Sequence, residues 1–107
     1  MVGSPTSPMV AHAATKGGVI AMTRQLAVEG APHGIRALSI SPGAIETPGT
    51  AALLADPAIR AALAGQNLVG RIGLPSDVVS LALFLASDEA SFLTGANFVV
   101  DGGMTSV

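Results

Sequence analysis

The stretch "IRALSISPGAIETPG", residues 35–49, decides the fold. Its first seven residues, Ile35 to Ser41, form a short and mostly apolar run. Such a run predicts a strand buried on both faces, as in parallel sheets. "PGAIETPG" then predicts a loop at the strand's carboxyl end.

Upstream, a helix is expected from about Met9 to about Ala31. Met9, Ala13, Ile20 and Ala27, with Met22 and Leu26, repeat at three-and-four spacing. The interior Gly17-Gly18 pair costs roughly 1 kcal/mol per glycine against alanine. It marks either close approach of another backbone or a ligand, or a weak spot in a long helix. "APHG" ends the helix, with Gly34 suited to a left-handed cap and His33 placed as a cation at the helix end. Residues Met1 to Pro8 are rich in Ser, Pro and Gly and predict a loop.

Downstream, "ADPAIRAALAG" predicts a short helix. Asp56 is its N-cap, Pro57 its first helical residue and Gly65 its stop. Gly49 and "GQNLVGRIGLP" flank it, which fits a mobile segment. "PSDVVSLALFLASDEASF" predicts a second strong helix, capped by Ser76, with Asp77 where the helix dipole favours an anion. Gly95 breaks the chain, and "ANFVVDGG" predicts a second buried strand ending in a turn. Helix-separated strands argue for a parallel sheet of the α/β class. Two strands alone do not make a stable sheet covered on both faces, so the pattern reads as the end of a larger fold.

The 107 residues suffice for one small domain. Half are hydrophobic and 11% charged, where about a quarter charged is usual. That excess is explained either by a helix-rich Ala/Leu/Val composition or by surface that meets another chain or a further segment. The net charge of −2, with no Trp and no Tyr, is not a nucleic-acid footprint. The absence of cysteine excludes a disulfide frame and a Cys metal site. Uncharged runs are broken by Gly, Pro and Ser, against a membrane span. The start "MVGSPTSPMV" lacks the order of a signal peptide, and a cytoplasmic protein is the default expectation.

Several of these stretches together resemble one family. "AATKGGVIAMTRQLAVEGAPHGIRALSISPGAIETP" is similar to the active-site helix, following strand and Pro-Gly loop of the short-chain dehydrogenases/reductases. "GRIGLPSDVVSLALFLASDEASFLTGANFVVDGG" is similar to their last helix and strand. The resemblance covers Met9 to Gly103. Any single motif is weak, but their order and spacing are highly specific. It implies an α/β fold: the C-terminal part of a Rossmann-like, doubly wound parallel sheet, without its N-terminal half. Residues 8–48 would be the active-site helix, strand and Pro-Gly loop. Residues 49–74 would be the substrate lid, and 75–107 the last helix and strand.

The family's active-site signature is Tyr-x-x-x-Lys. With its lysine on Lys16, its tyrosine falls on His12, and this sequence has no tyrosine. The family's serine, about a dozen residues upstream of that tyrosine, would fall before Met1. Ser4 and Ser7 are too close to His12 to replace it. No "GxxxGxG" or "GxGxxG" loop occurs in these residues.

Residue by residue, the resemblance implies that Lys16 hydrogen-bonds the nicotinamide ribose and favours the tyrosinate. Pro42 and Gly43 match the loop beside the nicotinamide. The backbone of Ile45 matches the position that holds the carboxamide. Thr47 matches a hydroxyl contacting the carboxamide or the pyrophosphate. "VDGG" matches a strand that often lines a subunit contact. The implied cofactor is NAD or NADP in the complete fold, with none bound by this chain alone. The choice between them is made near the family's second strand, outside these residues.

His12 is a candidate general acid, since imidazole exchanges protons near neutral pH. It is roughly 2 Å shorter than phenol at the reacting atom, and a displacement of about 1 Å costs on the order of 100-fold. The favoured expectation is therefore a partly exposed helix histidine. Lys16 on an apolar helix can also simply snorkel. His12 and His33 are not at metal-ligand spacing on one helix, and no metal is expected. Glu46 reads as a loop residue, Thr47 also as a helix N-cap, Asp88-Glu89 as a solvated turn. Asp101 is expected to satisfy backbone donors in the "DGG" turn.

Three functions compete. The first is the C-terminal part of an NAD(P)-dependent oxidoreductase acting on an alcohol or carbonyl, inactive as an isolated chain. The second is a non-catalytic assembly module, pairing with itself or with an N-terminal half. The third is a small apolar-ligand binder using the lid.

Overall fold

The computed structural model describes residues 9–106. The loop expected over Met1–Pro8, with Ser4 and Ser7, lies outside the described residues. The elements are α1 (Val10–Gly30), β1 (Ser39–Pro42), α2 (Ala51–Leu54), α3 (Pro57–Gly65), α4 (Pro75–Ala86) and β2 (Asn97–Val100), joined by 3-10 turns. The expected order is found, with α2 as an addition. β1 and β2 form a two-stranded sheet. Ser39 N–H donates to Ala96 O at 3.1 Å and Gly43 N–H to Val100 O at 2.9 Å. Both partners advance by four residues, which makes the pair parallel. No described helix is long and apolar enough to cross a membrane.

The chain divides into two compact units: the described residues up to Ile40 with Leu85–Phe98, and Ser41–Phe84 with the described residues from Val99. In the first unit, α1 buries only Thr23, Ala27 and Gly30. These are four and three residues apart and share one face. Met22 and Leu26, assigned by spacing to the apolar stripe, are instead 56% and 48% exposed. The buried stripe is short because α1 has near neighbours at its C-terminal end. A Cβ on Gly30 would sit 3.0 Å from Ile35 Cβ, and one on Gly95 would sit 3.4 Å from Ala27 Cβ.

The exit from α1 is a Schellman turn. Ile35 N–H donates to Gly30 O and Gly34 N–H to Ala31 O, with Gly34 left-handed at φ 69°. This turn also explains why β1 begins at Ser39 and not at Ile35. Ile35 N–H is committed to the turn, Ala37 N–H to Thr94 Oγ1, and the Arg36 side chain to carbonyls at the end of α4. The expected burial on both faces is not met either: Ser39 alone in β1 is buried, and Ile35 is exposed. The Arg36 guanidinium donates to Leu85 O at 3.0 Å and to Ser87 O and Leu93 O at 3.3 Å. A cation there satisfies carbonyls a helix end leaves unpaired.

In the second unit, Asp56 caps α3 as expected, accepting from Ala58 N–H at 2.9 Å, with Pro57 in the first helical position. Gly65 is the last residue of α3, with Gln66 beyond it. At α4 the expected cap is replaced. Pro75 begins the helix, which puts Ser76 inside it, and the Asp77 carboxylate accepts from Leu74 N–H at 2.7 Å. Leu54 and Ile72 supply buried apolar side chains.

The "DGG" turn behaves as expected. Asp101 Oδ1 accepts from Gly103 N–H at 2.9 Å and Oδ2 from Thr105 N–H at 3.0 Å. Gly102 and Gly103 have φ of 64° and 89°, a region side chains rarely enter. A Cβ on Gly103 would also meet Leu68 Cδ1 at 2.7 Å. Asp88 and Glu89 lie exposed in a 3-10 turn, the solvated turn anticipated for them.

Candidate functional site

In the second unit, β1 runs out at Pro42 into residues 43–50. Gly43 is fixed by close approach. A Cβ there would lie 2.8 Å from Asp101 Cβ and 2.9 Å from Asp101 Cα. Ile45 then forms a single parallel bridge with Gly73. Its two bonds come from its neighbours: Gly73 N–H donates to Ala44 O at 2.9 Å, and Glu46 N–H donates to Gly73 O at 2.8 Å. In extended backbone a residue's own N–H and C=O share one edge, opposite to those of its neighbours. The Ile45 N–H and C=O therefore face away from Gly73, a donor and an acceptor side by side. Thr47 N–H lies on the same edge and donates to Thr50 Oγ1 at 2.9 Å.

Glu46 is a loop residue held in an ion pair. Arg60 on α3 binds it through two nitrogens, at 2.6 and 3.3 Å, and also donates from Nε to Leu54 O at 3.1 Å. The Arg60 hydrogen bond, and then its charge, hold the Glu46 carboxyl below its ordinary range. Thr47 is not the cap of α2. Thr50 occupies that place, and its hydroxyl serves the loop instead.

A half-open cavity of about 190 Å³ lies in the same unit, lined among others by Ile45, Asn67, Arg71, Asp77 and Asp101. Arg71 and Asp77 form a two-pronged ion pair at 2.8 and 3.0 Å. The Arg71 hydrogen bond, then the Leu74 N–H, pull Asp77 down to about 2. Hydrogen bonds from Thr105 come first in lowering Asp101. Asn67 donates from Nδ2 to Arg71 O at 2.7 Å, while its buried Oδ1 has no partner among the described residues.

His12 and Lys16 belong to the first unit. They lie one helical turn apart on α1, on one face, and both are exposed. Gly17 and Gly18 have nothing within 4 Å of where a Cβ would sit, so no close backbone approach among the described residues accounts for them. His33 ends the 3-10 turn after α1. No group of three His, Cys, Asp or Glu among the described residues could hold a metal ion.

Sequence reasoning missed Thr50, Arg60 and Asn67. The "TPGT" spacing, two hydroxyls three apart around a Pro-Gly turn, carried a signal for Thr50. Nothing local marked Arg60 or Asn67.

A family model described as Enoyl-(Acyl carrier protein) reductase matches residues 2–105. The chain belongs to the short-chain dehydrogenase/reductase family. It corresponds to a C-terminal portion of that fold, a small parallel pair of strands flanked by helices. The 3beta-hydroxysteroid dehydrogenase 1 of Eggerthella lenta is 49% identical over 94 residues, 88% of this chain and 36% of the relative. A 4-hydroxyisoleucine dehydrogenase complexed with NADH superposes with a TM-score of 0.90 at 38% identity, over 99% of this chain and 43% of that one. A gluconate 5-dehydrogenase from Burkholderia cenocepacia, in complex with NADP and tartrate, gives 0.86 at 36% identity, over 99% and 41%. The chain thus spans less than half the length of each of these relatives.

Proposed function

We propose that this chain is the C-terminal part of an NAD(P)-dependent short-chain oxidoreductase acting on a small alcohol or carbonyl compound, and that the isolated chain is inactive. The observation that carries this is the Ile45 edge, taken with family membership. A primary carboxamide presents one acceptor and one donor side by side, the complement of the Ile45 N–H and C=O. NAD or NADP, when bound, supplies or accepts the hydride.

The chain's own residues would do the rest. Ile45 orients the nicotinamide through its carboxamide, with Pro42 and Gly43 beside the ring and the Thr47 hydroxyl as a further contact. Lys16 holds the ribose. His12 takes the position of the family's acid and, being roughly 2 Å shorter than a phenol, serves it poorly. Residues 49–74 form the lid, which Arg60 ties to the loop through Glu46. The setting is cytoplasmic.

Exposed apolar side chains support a second reading, an assembly module. Val10, Leu83 and Phe92 are 83%, 67% and 100% exposed. Such surface marks contact with another polypeptide, either a second copy or an N-terminal half of the same fold. A stable folded monomer in sedimentation at micromolar concentration would count against it.

The oxidoreductase reading is tested in a chimera that joins residues 9–106 behind the N-terminal part of the Eggerthella lenta relative, with His12→Tyr. NAD- or NADP-dependent oxidation of a 3β-hydroxysteroid is expected, falling on the order of 100-fold when His12 is kept. A folded chimera without turnover would overturn the proposal.

A further inference from the structure

The Ile45 edge is useful to an amide only if it is held in place. Two consecutive groups of the loop, Ala44 O and Glu46 N–H, are pinned on the Gly73 backbone. Among the described residues, no strand lies beside the opposite edge. There a single hydroxyl takes the place of one. Thr50 Oγ1 donates to Ile45 O at 2.9 Å and accepts from Thr47 N–H at 2.9 Å. Thr47 O at 3.2 Å and Thr47 Oγ1 at 3.3 Å are the weaker alternatives for its one proton. Thr50 is itself anchored, since its N–H donates to Thr47 O and its carbonyl accepts from Leu54 N–H in α2.

We propose that Thr50 is a positioning residue for the cofactor carboxamide, which rests on the role given to Ile45 above. Its hydroxyl bridges Ile45 and Thr47 as a neighbouring strand would. A carbonyl oxygen has two lone pairs, so Thr50 occupies one at Ile45 and leaves the other for the amide. A bond already made to a carbonyl also strengthens the neighbouring bonds of the chain. Without the hydroxyl, the segment from Ile45 to Thr47 is held only on its Gly73 side, and binding must first order it.

The test is amide NMR on the full 107-residue chain in the wild type, Thr50→Val and Thr50→Ser, with free nicotinamide raised to concentrations at which the carboxamide contact registers although this chain alone is not expected to hold the whole dinucleotide. Hydrogen exchange is read first, without nicotinamide. Thr50→Val should speed exchange at Thr47 N–H by about three- to tenfold and leave Glu46 N–H, bonded to Gly73, unchanged. In the titration, nicotinamide should shift the Ile45 and Thr47 amides of the wild type. The midpoint should rise about three- to tenfold in Thr50→Val and return to the wild-type value in Thr50→Ser, which keeps the hydroxyl. An unchanged midpoint in Thr50→Val overturns the inference and leaves the role of Ile45 standing. So does a loss in Thr50→Ser equal to that in Thr50→Val, because the methyl group would then be the cause. No response at Ile45 in the wild type, up to the solubility limit of nicotinamide, overturns both.

Discussion

Gly43→Ala removes no interaction and adds one methyl group, yet it is expected to be among the costlier single changes in the second unit. The added Cβ would lie 2.8 Å from Asp101 Cβ and 2.9 Å from Asp101 Cα. Carbon atoms rest at about 3.5–4.0 Å, so the two segments must part by roughly 0.6–1 Å. One of the obstructing atoms is backbone and cannot rotate aside. Overpacking of this kind costs about 1–3 kcal/mol. Parting also stretches the 2.9 Å bond from Gly43 N–H to Val100 O, a further ~1 kcal/mol at most. Against this, alanine restricts the unfolded chain and returns about 0.4–1 kcal/mol. The central values sum to a loss of about 2 kcal/mol. In a urea titration of the chain followed by circular dichroism, with a slope near 2 kcal/mol per molar, the midpoint should fall by about 1 M. Gly17→Ala is the control. It lies inside α1 with nothing within 4 Å of the new methyl, so it should raise stability by about 1 kcal/mol. A Gly43→Ala midpoint equal to or above the wild type would refute the steric reasoning.

Further consequences can be measured in the same chain. Arg36→Met should destabilise by about 2–4 kcal/mol, seen as a lowered urea midpoint, because three carbonyls lose a charged donor. Asp56→Ala should cost about 1 kcal/mol through loss of the α3 cap, with the amide shift of Ala58 reporting the change directly. For Asp77, the folded-state pKa of about 2 lies below the ordinary carboxyl value of 3.8. The folded state therefore binds its proton less readily, and the Asp77 contribution is fully present above about pH 4 and lost as pH falls toward 2. Asp77→Asn should flatten that part of a stability-against-pH curve, and an unaltered slope would contradict the assignment.

Much of this fold was legible because its signals are local. The caps of Asp56 and Gly34, the "DGG" turn held by Asp101 and the apolar run of α4 each depend on residues a few positions apart. Partners far away in sequence decided the rest. β1 lost its first residues to contacts with Gly30, Thr94 and the end of α4. Ser76 was displaced as a cap because Pro75 began the helix two residues early, and Asp77 reached back to Leu74. The stripe chosen for α1 used Met22 and Leu26, whereas the small residues Thr23, Ala27 and Gly30 are the ones that permit close packing.

The candidate site divides in the same way. Ile45 and Thr47 were identified through the resemblance, while the spacing alone read "PGAIETPG" as a loop. The Gly73 bridge that turns the Ile45 N–H and C=O to one edge involves a residue 28 positions on, beyond any local pattern. The clamp from Arg60 to Glu46 and the cavity beside Asn67 likewise assemble residues that no motif connects.

The most direct test is cofactor oxidation by the purified 107-residue chain, given NADH or NADPH and a panel of ketones. The proposed function gives this chain cofactor-orienting residues, but the sequence holds no tyrosine acid and no glycine-rich dinucleotide loop. It predicts no ketone-dependent oxidation above the rate without protein. Turnover by this chain alone, abolished by Lys16→Ala, would contradict it and would make His12 a working acid.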